Sequence, residues 1–143
     1  MKTKLSYVSL AVSIILLIVS FVFFYKYIAL VDKLESSTDI SFRAFIMECK
    51  EYQSELNNFI NTNKNMDTEY LVKDANAMRS AYQNYELFVS TAGEDDTKLY
   101  SERTELFKKI VYTAPDYSKA SVEELQSYSK KVGDIIQQLQ NTR

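Results

Sequence analysis

Apolar positions follow two regimes along this chain. Residues 5–25 are 21 consecutive uncharged residues, mostly Leu, Val, Ile and Phe with a few Ser. Beyond residue 40 the apolar positions recur every three or four residues, the spacing of one helix face. As a helix rising 1.5 Å per residue, the first regime spans about 31 Å, the thickness of a bilayer's hydrocarbon core. It predicts a transmembrane helix over about residues 6–27, inside an anchor of residues 1–31. Tyr7 at one end and Phe24, Tyr25 and Tyr27 at the other suit the two water interfaces, and Lys26 can reach the headgroups. A cleaved signal peptide competes, because Lys2 and Lys4 make a basic start. The apolar run exceeds the usual length of about 7–15 residues, however, and no small-x-small site follows it, which favours the anchor.

In the second regime Phe42, Phe45, Cys49, Tyr52, Leu56 and Phe59 stand at alternating spacings of three and four, with Ile46 and Ile60 beside them. This predicts an amphipathic helix of about 24 residues that can continue from the anchor. Leu71, Ala75, Met78, Tyr82, Tyr85 and Val89 form a second stripe, with Asp67 or Thr68 as its N-cap. A third helix is predicted over about 97–112, burying Leu99, Leu106, Phe107, Ile110 and Val111, and ended by Ala114 before Pro115. The fourth opens on a capping box, Ser121 with Glu124, and carries Leu125, Tyr128, Val132, Ile135 and Leu139. The connections 61–66, 91–96 and 113–120 are short, so consecutive helices are expected to be antiparallel neighbours. The fold class expected is all-α: one N-terminal transmembrane helix, then an up-down-up-down four-helix bundle over residues 32–143. A parallel coiled-coil dimer through the first amphipathic helix competes. Phe42, Phe45, Tyr52 and Phe59 occupy its seam, where a dimeric zipper prefers Leu and β-branched residues, and this bulk favours the bundle.

Charge narrows the partners. The chain holds 17 basic and 19 acidic side chains, but Lys2, Lys4 and Lys26 belong to the anchor, leaving residues 32–143 with 14 against 19 and a charge near −5. The longest basic clusters are the pairs Lys108–Lys109 and Lys130–Lys131, too short for the stripe that neutralises a phosphate backbone, so no nucleic acid is expected. There is no His, which removes His-dependent triads, imidazole metal sites and the usual general base. Cys49 sits in an apolar stripe beside Glu48, which opposes a thiolate. Glu94, Asp95 and Asp96 lack the alternating acidic spacing of a calcium loop. These readings call for no catalytic residue, no metal and no cofactor. Of 11 tyrosines, Tyr52, Tyr82, Tyr85 and Tyr128 fall on core stripes, whereas Tyr70, Tyr100, Tyr112 and Tyr117 fall near helix ends.

Two surfaces stand out as candidates for contact. Ser6, Ser9, Ser13 and Ser20 lie within about 60° of one another on a helix, a small, weakly polar face suited to contact with another membrane helix. In the bundle, the first and third connections form the distal tip, where Asn63, Asn65, Met66, Pro115 and Tyr117 are the candidate interaction surface. The acidic segment 93–96 then faces the bilayer, and residues 28–39 are expected to lift it beyond a Debye length of about 8–10 Å. Lys2 and Lys4 are expected to hold the N-terminus in the cytoplasm, which places the helical domain outside it at the inner membrane. The layout is similar in outline to membrane-anchored four-helix sensory modules of bacterial receptors, without their second membrane helix. It also resembles small bacterial or phage proteins that tether a helical domain for exclusion, immunity or lysis control, with no residue carried across. The expected function is non-enzymatic: a tethered helical domain that binds or blocks a protein partner, including another membrane protein, in an exclusion, immunity, lysis-control or assembly role. The alternative is a ligand-sensing bundle that signals through a membrane partner.

Overall fold

No glycine or proline occurs before Gly93, and Pro115 is the sole proline, so backbone chemistry offers few obligatory breaks. The computed structural model describes the backbone of residues 2–62, 67–92 and 97–142 and the side chains of 12–62, 67–91 and 98–142. The described residues form four helices and no strand: α1 (Lys2–Asn61), α2 (Thr68–Ala92), α3 (Thr97–Tyr112) and α4 (Val122–Asn141). The chain divides into two units, Met1–Ser36 and Ser37–Arg143.

The first unit is helical and apolar. Every described side chain from Val12 to Val31 is exposed. Among the described residues one helix is long and apolar enough to cross a membrane.

The second unit closes around one core to which four helices contribute. The α1 stripe is buried from Phe42 to Ile60, as are Leu71, Met78, Tyr82, Tyr85 and Val89 of α2, Leu106 and Ile110 of α3, and Leu125, Tyr128, Val132, Ile135 and Leu139 of α4. Ala75, Phe107 and Val111 pack partly buried against them. Each large apolar side chain removed from water stabilises the fold by about 1.5–3 kcal/mol before conformational entropy is set against it. The core is aromatic: Tyr82 and Phe107 stack at 4.0 Å between ring centroids, and Phe45 meets Phe107 edge-on at 5.5 Å. Such packing suits broad rings across several helices.

Local chemistry sets the helix ends. Asp67 Oδ1 accepts from the Glu69 amide at 2.9 Å, so Asp67 caps α2. Thr113 ends α3 by donating its hydroxyl to Lys109 O, and Pro115 follows. Ser121 Oγ accepts from the Glu124 amide at 3.1 Å while Glu124 Oε2 accepts from the Ser121 amide at 2.7 Å, completing the capping box of α4. Asn63, Asn65, Met66 and the acidic segment 93–96 lie outside the described residues.

Among the described residues three buried polar side chains depart from the apolar reading of the stripes: Thr38, Arg103 and Ser129. Arg103 lies four residues after Leu99 and three before Leu106, inside the core register of α3. Its guanidinium carbon sits 3.8 Å from the Phe42 ring centroid, and Nη1 donates to Tyr85 Oη at 2.9 Å. Nε donates to Thr142 Oγ1 and Nη2 to Thr142 O, so one side chain touches all four helices or their caps.

Candidate functional site

Of the candidate interaction surface, Pro115 and Tyr117 are among the described residues, and both are half-buried. Asp116 shapes their turn: its carboxylate accepts from the Ser118 amide and hydroxyl and pairs with Lys119. Those hydrogen bonds hold the Asp116 carboxyl down at about 2.

Tyr117 points its hydroxyl inward. Its Oη lies 2.6 Å from Tyr52 Oη, which donates to Tyr128 Oη at 3.1 Å, and Tyr128 donates to Ile110 O at 2.9 Å. Each phenol owns one proton, and those of Tyr52 and Tyr128 are committed, so Tyr117 must be the donor to Tyr52. The direction of the relay is therefore Tyr117 to Tyr52 to Tyr128 to the α3 backbone. Burial pushes all three phenols above the ordinary tyrosine value. The cluster stays protonated at neutral pH and acts as a hydrogen-bond brace between α1, α4 and the 113–121 link.

Cys49 is buried, and burial followed by the Glu48 charge pushes its thiol up, keeping it protonated. Among the described residues no three His, Cys, Asp or Glu side chains gather as metal ligands. On the membrane-capable part of α1, Ser13 and Ser20 are exposed, while Ser6 and Ser9 lie outside the described side chains.

A feature that the apolar stripes do not reveal lies between α1 and α2. An open groove of about 550 Å3 has small residues along it, Ala44 from α1 and Ala77 and Ala81 from α2, with Ile40 and Phe88 at one end and Glu48 toward the other. Ile40, Met47 and Leu87 stand exposed on these two helices. Beyond Glu48, Glu51 and Glu55 follow on the same side of α1 at spacings of three and four. Asp74 of α2 feels both: its carboxyl is raised by burial and then by Glu55 and Glu51, with Lys73 opposing. The signal for this groove in the sequence is the run of Ala and Ser on the outer sides of both helices, which periodicity treats as polar surface. No family model, curated protein or solved structure matches this chain.

Proposed function

We propose that the chain is a membrane-tethered, non-enzymatic interaction protein: the N-terminal part of α1 spans the cell membrane, and the helical unit binds or blocks another protein outside the cytoplasm. The observation that carries this reading is the uninterrupted exposure of apolar side chains from Val12 to Val31 on a helix long enough to cross a bilayer. Water does not tolerate so large a contiguous apolar surface, whereas hydrocarbon covers it at no cost. Lys2 and Lys4 favour a cytoplasmic N-terminus.

Within the unit we propose the up-down-up-down order. Two levels of contact support it. At one, Phe42 meets Tyr85 and Arg103 meets Thr142; at the other, Tyr52 meets Tyr128, which meets Ile110. Numbers rise together in α1 and α3 and fall from the first level to the second in α4. In α2 the pairs Phe42 with Tyr85 and Phe45 with Tyr82 likewise run in opposite senses.

Interaction rather than catalysis is supported by the state of the reactive groups. Cys49 and the phenols of Tyr52 and Tyr128 are held protonated by burial, and the polar core is engaged in internal hydrogen bonds. Protease added to intact spheroplasts should digest residues 40–143, and full protection would reverse the orientation. Purification from native membranes in mild detergent should bring down a stoichiometric protein partner. Recovery of the chain alone, after crosslinking as well as without it, would overturn the binding role.

A further inference from the structure

We infer that the α1–α2 groove is the docking site for a basic amphipathic helix of the partner protein, its small and apolar side against Ala44, Ala77 and Ala81 and its Lys or Arg residues against Glu48, Glu51 and Glu55. This rests on the reading that the helical unit binds a protein, and it names where and with what chemistry.

Shape argues for a helix. Grooves walled by two helices accept a third along i, i+3 and i+4 anchors, and a floor of Ala lets the axes approach near the short end of the roughly 8–10 Å packing range. Ile40 and Phe88 supply the apolar end, and Ile40 is 63% exposed.

Charge argues for a basic one. Residues 37–61 and 67–91 carry eight acidic against four basic side chains, while residues 97–142 carry six against seven, so the α1–α2 half is the acidic half. Glu48, Glu51 and Glu55 repel one another at helical spacing, which destabilises the free helix. The ion pairs Arg43–Asp39, Lys108–Glu105 and Lys119–Asp116 involve none of them and not Asp74. A partner's cations relieve that repulsion on docking. The same charges argue against a second copy: a two-fold interface lays groove on groove and sets both copies' Glu48, Glu51 and Glu55 together. Anionic lipid headgroups are repelled likewise.

The test uses the full chain in nanodiscs of zwitterionic phosphatidylcholine, with empty nanodiscs subtracted. The probe is a fluorescent peptide of about five helical turns with Ala and Leu on one side and Lys on the other, compared with a twin bearing Glu for Lys. The Lys peptide should bind at least about tenfold more tightly than its twin. Ala44→Trp, at an exposed position that leaves the core intact, should abolish binding, and Glu51→Gln with Glu55→Gln should weaken it. Lys130→Gln on α4 should leave it unchanged. Equal binding of both peptides, or binding indifferent to Ala44→Trp, overturns the groove. So does a photocrosslinker at position 44 that joins two copies of the chain in native membranes. A co-purifying partner that none of these groove variants displaces sinks this inference alone, because the broader binding role then stands.

Discussion

Removing the Arg103 guanidinium should be the most damaging change available to a single polar side chain in the helical unit. Arg103 is 7% exposed and donates to Tyr85 Oη at 2.9 Å, Thr142 Oγ1 at 3.2 Å and Thr142 O at 2.7 Å, with the Phe42 ring 3.8 Å away. Hydrogen bonds from a charged donor contribute about 1.5–3 kcal/mol each, and a desolvated cation over a ring about 2 kcal/mol. Desolvating the guanidinium costs several kcal/mol in the opposite direction, so the net loss for Arg103→Ala is about 3–4 kcal/mol, within the range for breaking a buried charge network. For a unit of this size that is a fall in Tm of about 12–16 °C. Arg103→Met keeps most of the packed stem and removes the desolvation cost together with the hydrogen bonds, so the net loss should be only about 1–2 kcal/mol. Arg103→Lys should not rescue, because one ammonium cannot reach Tyr85, Thr142 Oγ1 and Thr142 O in the fork geometry of a guanidinium. Thermal unfolding of the full chain in mild detergent, followed by circular dichroism, reads all three. In a double-mutant cycle, Tyr85→Phe should couple to Arg103→Met by at least about 0.5 kcal/mol. A drop under about 3 °C for Arg103→Ala, or no coupling to Tyr85, would refute the account by showing that the cation contributes no more than a hydrocarbon would.

Asp74→Asn should raise Tm at neutral pH. Burial, Glu55 and Glu51 raise the Asp74 carboxyl in the folded chain, so its contribution is favourable below the unfolded value and is lost as pH rises through the folded one. The gain should vanish when pH falls into the ordinary carboxylate range, and a lower Tm at pH 7 would contradict it. Gly133→Ala sets a helix-propensity gain of about 1 kcal/mol against a clash, since the new Cβ would lie 2.5 Å from Gln53 Nε2, the donor to Ser129 O. The net change should be near zero alone and stabilising in a Gln53→Ala background; equal effects in both backgrounds would dismiss the clash. Leu56→Ala and Ile135→Ala should each cost about 2–5 kcal/mol in denaturation, and a loss under about 0.5 kcal/mol at both would mean the stripes do not face one another. Maleimide should label Cys49 only as fast as the unit unfolds, whereas rapid labelling, or an oxidised dimer on a non-reducing gel, would place that stripe at a seam between chains.

Much of the secondary structure could be read without tertiary information because its causes are local. The buried faces of α1, α2 and α4 follow from apolar spacings of three and four, and α3 ends at Tyr112 as its approach to Pro115 requires. The caps at Asp67 and Ser121 depend on side chains two or three residues from the amides they satisfy. Where α1 begins and ends its apolar stripe was likewise legible, although the absence of Gly and Pro turns what reads as an anchor plus a following helix into one element, Lys2–Asn61.

What periodicity did not disclose depends on partners distant in sequence. Arg103, Thr38 and Ser129 occupy core registers, but an apolar stripe assigns polar residues to the surface. Arg103 is buried because α4 brings Thr142 to it from 39 residues away and α1 brings the Phe42 ring. Tyr117 reads as a tip residue, and it also begins a relay through Tyr52 to Tyr128, two side chains 76 residues apart. The α1–α2 groove has the same origin, since Ala44 and Ala81 form one surface only after two helices pack side by side. A helix's own period determines which face it buries. Which donor, ring or alanine meets that face is decided by the other helices, because hydrogen bonds and van der Waals contacts act over a few ångströms of space, whatever the separation along the chain.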